Sequence, residues 1–325
     1  MALNLNNFIL QKTAAASIEA KTTIQELWSG YGEIIRYKLK GGAVPSVIVK
    51  QIQFPSGQNH PRGWNSSISH QRKVKSYEVE ATWYQSFSEK CDDNTRVPLC
   101  LGITKLDDAL VLILEDLDTV GFPIRKQQIN VQEVKVCIHW LANFHATFMK
   151  VKPVGLWEIG TYWHLATRPD ELKVLSDQQL KSAAVAIDRT LNNCTYQTLV
   201  HGDAKLANFC FSNDGLAVAA VDFQYVGGGC GMKDVAYFLG SCLNDSDCAS
   251  LETELLNYYF QILKSAITKK AIDIDVVALE AEWRALFPVA WTDFHRFLKG
   301  WSPGHWKLTS YSERLAKQVI SKLNH

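Results

Sequence analysis

Residues 201–208 read His-Gly-Asp-Ala-Lys-Leu-Ala-Asn, and residues 221–224 read Val-Asp-Phe-Gln. The first stretch places a carboxylate, Asp203, five positions before the side-chain amide of Asn208. The second places another carboxylate, Asp222, between apolar residues. A carboxylate can meet an attacking hydroxyl group, and hard oxygen ligands can hold Mg²⁺ against phosphates. The two stretches therefore indicate phosphate chemistry, provided that the fold brings them together.

The sequence between the two stretches predicts that they meet. Residues 209–212 and 216–221 are suited to two short strands, and Asn213-Asp214-Gly215 between them is a strong turn signal. A strand–turn–strand would carry Asn208 and Asp222 back to the same end of a hairpin.

The order and spacing of these residues match the pattern by which kinase-fold enzymes hold a substrate hydroxyl and Mg·ATP together. His-Gly-Asp alone recurs by chance, but an amide in register and a second acid downstream make the pattern specific. His201 is expected to organise the loop through hydrogen bonds without transferring a proton. Lys205 could reach the transferring phosphoryl group and offset its developing charge, and the alternative is an exposed loop lysine.

Lys50 ends the apolar segment Val47-Ile48-Val49-Lys50. It follows two strand candidates and a Gly-Tyr-Gly turn, where a kinase lysine reaches the ATP phosphates. A strand-edge lysine is the ordinary alternative. Such a lysine needs a carboxylate on the following helix, and Glu78 and Glu80 are both available. Only one of them can face Lys50 well, because residues two apart on a helix point in different directions.

Ser29-Gly30-Tyr31-Gly32 is the candidate for the loop over the phosphates, with Gly30 and Gly32 as its glycines. The full Gly-x-Gly-x-x-Gly pattern is missing, because Ile35 occupies the last position.

Downstream, Asp234 stands where a helix is expected to begin. It could cap that helix or brace the 201–208 loop from behind, and both roles are structural.

The predicted secondary structure changes from mainly strands to mainly helices near residues 115–120. The first third is β-rich, whereas apolar residues recur at helical spacing after Asp118. We predict an α+β, protein-kinase-like fold of two lobes with the ligand in the cleft. Residues 1–116 would form a small β-rich nucleotide-binding lobe, and residues 117–325 a larger, mainly helical catalytic and substrate-binding lobe. The elements predicted for the first lobe are strands at 24–27, 34–39, 47–52, 97–103 and 109–114, a polar loop at 54–67 and a helix at about 69–90.

Composition narrows the class of protein. The chain has 325 residues, of which 47% are hydrophobic, and a formal net charge of +1, so a globular protein is expected and nucleic acid is not its expected partner. Its eight cysteines form no Cys-x-x-Cys or zinc pattern, and no apolar run could span a membrane. We expect a cytoplasmic protein with reduced thiols. The densest basic run, 70–75, indicates a solvated helix start more than an anion site.

Five stretches resemble the aminoglycoside phosphotransferase and choline kinase superfamily of small-molecule kinases, and the likeness is greatest to its ecdysteroid-kinase-like branch. One stretch, Glu80-Ala81-Thr82-Trp83-Tyr84, is similar to the family's helix motif of glutamate, two residues, aromatic and tyrosine. This similarity favours Glu80 over Glu78 as the partner of Lys50. The other stretches that carry the resemblance are 141–146, 201–208, 221–224 and 234–239.

The resemblance implies ATP and Mg²⁺ as cofactors and a role for each matching residue. Two departures from the family pattern are the degenerate glycine loop and Lys205, which stands where many relatives have other residues. The implied roles are Asp203 as catalytic base, Asn208 and Asp222 as magnesium ligands, Lys50 paired with Glu80 at the phosphates, and the backbone of residues 114–117, including Glu115 and Leu117, against the adenine.

The C-terminal lobe of such enzymes usually selects the acceptor. Here it is rich in aromatic residues and contains Asp293 and Trp291, which could hold a cationic or hydrophobic alcohol. The alternative is that these aromatic residues, which have near-helical spacing, form a helix–helix core.

We therefore predict an ATP- and Mg²⁺-dependent kinase that phosphorylates the hydroxyl of a small molecule directly, without a phosphoenzyme. The main alternative is a catalytically silent kinase-fold protein that binds a nucleotide or metabolite, as the degenerate glycine loop would allow. A protein kinase is disfavoured, because neither Asp-Phe-Gly nor Ala-Pro-Glu is present. A serine hydrolase is disfavoured by the absence of Gly-x-Ser-x-Gly.

Overall fold

The computed structural model describes residues 4–27, 30–53, 67–106 and 108–323. Its N-terminal part is built on a five-stranded antiparallel sheet with the strand order β1-β2-β3-β5-β4. The predicted strands are all present, and the first begins seven residues earlier than expected. Their bounds are β1 (Ser17–Glu26), β2 (Gly32–Lys40), β3 (Ser46–Gln53), β4 (Cys100–Leu106) and β5 (Ala109–Glu115).

Alternation along β3 decides which side chains reach the cleft. Val47 and Val49 face the outer side of the sheet, where they pack with Phe8 and Ile9 of helix α1 (Leu5–Thr13). Successive side chains of a strand point to opposite faces, so Lys50 faces the other side. The sequence analysis did not predict α1, which caps the outer face of the sheet.

Helix α2 (Ser67–Ser86) lies on the cleft side of the sheet. It begins near the predicted residue and ends four residues early, because residues 88–90 form a separate 3₁₀ turn. Its Trp83 stacks on Phe223 of the second motif, with 4.4 Å between ring centroids. The predicted polar loop at 54–67 falls outside the described residues except for Ser67, where α2 begins.

The C-terminal part is mainly helical. Helix α3 packs against α7, and α8 contacts α4, α5, α6 and α9. In the described part of the chain, no helix combines the length and the apolar character that crossing a membrane requires. The helices are α3 (Val131–Thr147), α4 (Pro169–Val174), α5 (Gln178–Asn192), α6 (Met232–Cys242), α7 (Asp245–Lys269), α8 (Val276–Trp301) and α9 (Ser310–Leu323).

Short strands line the cleft side of the helical lobe. The strand β8 pairs with β9 in an antiparallel hairpin, with Phe209 opposite Ala220, and the predicted hairpin is thereby confirmed. The backbone N–H of Val221 donates to the carbonyl of Asn208 at 3.0 Å, so Asn208 and Asp222 lie at the same end. The strands are β6 (Ile124–Arg125), β7 (Thr198–Val200), β8 (Phe209–Phe211), β9 (Val218–Ala220) and β10 (Gly227–Gly229).

Candidate active site

The loop 201–208 is held from behind by Asp234. Its carboxylate accepts the backbone N–H groups of His201 and Gly202, at 2.6 and 2.9 Å. Asp234 lies inside the first turn of α6, and the residue at the cap position is Gly231. Of the two structural roles expected for Asp234, bracing the loop is therefore the one that the structure shows.

Two further side chains support this carboxylate. His145 Nε2 lies 3.1 Å from Asp234, and His145 Nδ1 lies 2.8 Å from the hydroxyl of Tyr259. A proton on Nε2 satisfies both contacts, because the carboxylate then accepts from the ring and Nδ1 accepts from the tyrosine. His145 lies in stretch 141–146, which carries the family resemblance, and this resemblance is the sequence feature that could have indicated its supporting role. Nothing in the sequence indicated Tyr259.

We expect Asp234→Asn to lower the free energy of unfolding by about 2–4 kcal/mol, because an amide cannot accept from all of these buried donors. Chemical denaturation of both proteins measures the difference. The matched control is Asp273→Asn, since Asp273 is exposed and its backbone carbonyl accepts the bond from Lys150. Equal stability of the Asp234 and Asp273 variants would contradict the bracing role.

His201 is fully buried and uses both ring nitrogens within the protein. Nε2 donates to the carbonyl of Val221 at 3.0 Å, and Nδ1 accepts the backbone N–H of Asp203 at 3.2 Å. Its ring also lies 4.6 Å from the ring of Phe223. These contacts join the loop to the second motif, in agreement with the organising role expected for His201.

Asp203 is buried, with 5% of the residue exposed, and its carboxylate accepts three hydrogen bonds. The donors are Lys205 Nζ at 2.8 Å, Asn208 Nδ2 at 3.1 Å and the Tyr237 hydroxyl at 3.1 Å. Lys205 thus pairs with the proposed base and is not a free loop lysine. Tyr237 was missing from the candidates, although it lies in the 234–239 stretch that resembles the family.

The orientation of the Asn208 side chain follows from its partners. Its Nδ2 donates to the backbone carbonyl of Asp203 at 2.8 Å as well as to the carboxylate of Asp203. Both partners are acceptors, so the nitrogen must face them and the amide oxygen faces away. That oxygen is therefore not used by either of these bonds.

Asp222 adopts a left-handed backbone conformation with φ of 70°. Aspartate tolerates this region better than most residues, since its short side chain can bond locally. Its carboxylate accepts Gln224 Nε2 at 2.7 Å and lies 3.4 Å from Lys50 Nζ. Burial by itself raises the pKa of Asp222, but the nearby lysines, Lys50 and Lys205 first among them, lower it to about 2. The carboxylate is therefore charged at neutral pH.

Lys50 and Glu80 form a buried ion pair, with 2.6 Å between Nζ and Oε2. Burial opposes the charge of the ammonium group, but the carboxylates of Glu80 and Asp222 raise the pKa of Lys50 above its ordinary value. Glu78 is exposed on α2. The alternative between Glu78 and Glu80 is thereby settled in favour of Glu80, as the family resemblance indicated.

The turn that leads into β2 contains the two predicted glycines. Gly30 and Gly32 have φ of 73° and 118°, and a Cβ atom on Gly32 would lie 2.0 Å from the carbonyl oxygen of Gln51. Tyr31 is buried, and its hydroxyl lies 2.6 Å from His70 Nδ1. The turn is therefore fastened to α2. Ser29, the first residue of the predicted loop, lies outside the described residues.

We expect Gly32→Ala to lower the free energy of unfolding by about 2 kcal/mol or more, because a strained φ is combined with a clash against β3. Gly30→Ala is a matched control, since its φ is also positive but no atom of the described residues lies within 4 Å of the added Cβ. Thermal or chemical unfolding gives both values. A loss that is no larger at Gly32 than at Gly30 would show that the close approach to β3 is unimportant.

The basic run 70–75 differs in part from its prediction. Arg72 donates to the carbonyl of Thr167 at 2.7 Å, and Lys73 donates to Gln224 at 2.9 Å. The run lies near the start of α2 as predicted, but Arg72 and Lys73 contact the helical lobe, so these two residues are not simply solvated. Sequence spacing did not show this because α2 begins at the edge of the cleft.

The end of β5 and the residues that follow it contain the two side chains, Glu115 and Leu117, that were predicted to lie near the adenine. Glu115 pairs with Arg96, and its backbone N–H donates to the carbonyl of Leu99 at 2.8 Å. Leu117 is buried against Cys210 and Ala219. The side chains of Glu115 and Leu117 are thus engaged within the protein, and their role at an adenine remains a prediction that concerns their backbone.

The two acceptor candidates lie in the core. Asp293 is 2% exposed and pairs with Arg296 at 2.8 Å. Trp291 packs on Tyr311, with 4.8 Å between ring centroids, and on Phe287. A carboxylate that is buried and already paired offers no charge to a ligand, so this arrangement fits the helix–helix core alternative and not a cation site.

The residues present fit a magnesium ion that is shared with phosphates. Among the described residues, no three His, Cys, Asp or Glu side chains could hold a metal by themselves. Asp222 offers a charged carboxylate with 34% of its side chain exposed, and Asn208 offers an amide oxygen. One or two protein ligands completed by phosphate and water are the usual surroundings of Mg²⁺.

Comparison with protein families gives a match over most of the chain. A sequence model described as the ecdysteroid kinase-like family matches residues 39–155 and 160–271. The two segments include the five residues that the preceding paragraphs place around the cleft, namely Lys50, Glu80, Asp203, Asn208 and Asp222. The chain has no significant sequence match among curated proteins.

Solved structures resemble the fold of this chain. A microcompartment-associated aminopropanol kinase is 15% identical, with a TM-score of 0.53 over 98% of this chain and 93% of that one. An ethanolamine kinase from Plasmodium vivax is 12% identical, with a TM-score of 0.50 over 98% of this chain and 84% of that one. At such low identity the likeness shows the fold alone. It confirms the α+β, kinase-like fold of two lobes that was predicted from the sequence.

Proposed function

The chain belongs to the ecdysteroid kinase-like family, and on that premise we propose that it is an ATP-dependent phosphotransferase that phosphorylates a hydroxyl group of a small molecule. The observation that carries the proposal is the joint placement of Asp203, Asn208 and Asp222 beside the buried Lys50–Glu80 pair. A catalytically silent protein would have little need for this complete set. Residues 1–116 would bind the nucleotide, and residues 117–325 would bind the acceptor.

Asp203 receives the proton of the acceptor hydroxyl. The acceptor oxygen attacks the γ-phosphorus of ATP, the bond from that phosphorus to the β,γ-bridging oxygen breaks, and ADP leaves. The hydrogen bonds from Lys205, Asn208 and Tyr237 fix the Asp203 carboxylate before the acceptor arrives. Preorganisation of this kind lowers the barrier because no dipoles need to reorient during the reaction.

Lys50 contacts the phosphates of the nucleotide from the side of the sheet. Its pairing with Glu80 holds the ammonium group at the cleft face of β3, and its raised pKa keeps it charged. Lys205 offsets charge on the transferring phosphoryl group while it remains near Asp203. The amide oxygen of Asn208 and the charged carboxylate of Asp222 would hold Mg²⁺. When bound, this ion neutralises charge on the phosphates.

The test is ATP consumption by the purified protein with Mg²⁺ against a panel of amino alcohols, aminoglycosides, sugars, hydroxy acids and sterol-like alcohols. Acceptor-dependent turnover that disappears in Asp203→Ala is the expected result and identifies the class of acceptor. Binding of ATP without turnover on any acceptor would favour the silent nucleotide-binding protein. Turnover that survives in Asp203→Ala would overturn the proposed mechanism.

A further inference from the structure

A short loop between α8 and α9 reaches towards Asp203. Residues 302–309 form it, and its shape is fixed by backbone bonds from His305 to Ser302 and from Leu308 to His305, at 2.9 and 3.0 Å. Leu308 packs into an aromatic cluster that contains Tyr237 and Phe294. The loop therefore has a defined position beside the proposed acceptor site.

Lys307 of this loop extends over that cluster. Its ammonium nitrogen lies 4.9 Å from the ring centroid of Tyr237, 5.7 Å from that of Phe294 and 5.4 Å from that of Trp306. These distances are in the range of cation–π contacts. One face of each of these three rings therefore already has a cation of the protein over it.

Tyr237 connects Lys307 to the proposed base. The hydroxyl of Tyr237 donates to Asp203 while Lys307 lies over the ring of the same side chain. Lys307 therefore lies on the side of Asp203 that Tyr237 occupies.

The ammonium group of Lys307 has no carboxylate as an ion-pair partner and no hydrogen bond from Nζ within the described ranges. Burial lowers the pKa of Lys307 to about 8, with Lys205 acting in the same direction and Asp203 opposing it. A partly desolvated cation without a salt bridge is stabilised by any anion that enters its surroundings. Lys205 is itself a cation and therefore cannot serve as the counterion of Lys307.

We propose that Lys307 sets the charge selectivity of the acceptor site by binding an anionic group of the acceptor and excluding cationic alcohols. This inference rests on the proposed function, since it concerns the acceptor of the same reaction. An acceptor with a carboxylate or phosphate group near its hydroxyl would place the anion at Lys307 and the hydroxyl at Asp203. An amino alcohol would meet two lysines and aromatic faces that are already covered.

The test uses three acceptors with the same three-carbon skeleton, namely hydroxypropionate, propanediol and aminopropanol. For the wild type we expect kcat/KM to be at least about tenfold higher for hydroxypropionate than for aminopropanol, since like charges at a partly buried site repel strongly. Lys307→Gln should bring the two values close together, and Lys307→Glu should reverse their order. Lys317→Glu, an exposed charge reversal on α9, should leave the order unchanged.

A wild type that prefers aminopropanol would overturn the inference. So would an equal loss on all three acceptors in Lys307→Gln, because a lysine that contacts the transferring phosphoryl group or only supports the fold has no effect on charge selectivity. In both cases acceptor-dependent turnover persists, so the proposed function stands while the inference fails.

A second measurement does not depend on turnover. The Asp203→Asn protein is acetylated at pH 8 with each of the three compounds present, and peptide mass spectrometry compares the acetylation of Lys307 with that of the exposed Lys317 in the same sample, which corrects for reagent consumed by the amine of aminopropanol. Protection by hydroxypropionate but not by aminopropanol supports the inference even if no phosphate is transferred. Equal protection by both, or none, overturns it.

Discussion

The Asp203→Asn protein is expected to turn over its acceptor about 10²–10⁴-fold more slowly than the wild type, which is the usual contribution of a positioned general base. The amide has nearly the shape of the carboxylate but cannot take the proton of the acceptor hydroxyl. Its affinity for ATP should stay within a few-fold, because the residues proposed to contact the nucleotide, Lys50 and Asp222, are unchanged. Steady-state kinetics and calorimetric titration with ATP measure the two quantities.

Asp273→Asn is again the matched control, since it removes an exposed carboxylate from the turn between α7 and α8. It should have the kinetics of the wild type. Turnover of Asp203→Asn within tenfold of the wild type would exclude Asp203 as the base. A fall in ATP affinity that accounts for the whole loss would assign Asp203 to nucleotide binding instead.

Lys50→Met is expected to lower the free energy of unfolding by about 3–5 kcal/mol, because it leaves Glu80 as an uncompensated charge in the interior. The same substitution should abolish detectable binding of ATP. Chemical denaturation and calorimetry measure the two effects. Lys105→Met is the control, since Lys105 is exposed on the edge strand β4.

The double variant Lys50→Met/Glu80→Leu separates the two roles of the pair. Replacing both partners of a buried ion pair by apolar residues is often neutral or stabilising. We therefore expect most of the lost stability to return while ATP binding stays absent. A double variant as unstable as Lys50→Met would show that the pair is not the source of the loss, and recovered ATP binding would exclude Lys50 from the phosphate site.

The parts of the site that could be predicted from the sequence are those whose residues lie close together along the chain or recur with a regular period. Asp203 and Asn208 share one loop, and the turn at 213–215 implies the hairpin that returns Asp222 to Asn208. Alternation along β3 likewise implies which side of the sheet Lys50 faces. In each case local geometry alone determines the placement, so a linear pattern is sufficient.

What the sequence did not indicate depends on contacts between distant segments. Tyr259 lies 114 residues from His145, and their hydrogen bond has no linear signature. The role inferred for Lys307 depends on its contact with Tyr237, which lies on α6, 70 residues earlier in the chain. Helix α1 was missed because its few apolar residues, Phe8 and Ile9 among them, become a core face only when the sheet is present.

The buried ion pair of Asp293 with Arg296 was not predicted, although both residues are close together in the sequence. The two residues stand three apart on one helix, a spacing at which opposite charges commonly meet. The spacing of Asp293 and Arg296 was therefore visible in the sequence, and it favoured an ion pair within the helix over a ligand-binding role for Asp293. A nearby opposite charge on the same helix face is a simple reason to doubt that a carboxylate is available to a ligand.

The stack of Trp83 on Phe223, which in turn contacts His201, has a mechanical consequence. Trp83 lies one turn along α2 from Glu80, so a single helix carries both the partner of Lys50 and the indole that stacks on Phe223. The position of α2 therefore couples the ion pair of Lys50 to the packing of the segment that joins Asp222 to the loop of Asp203.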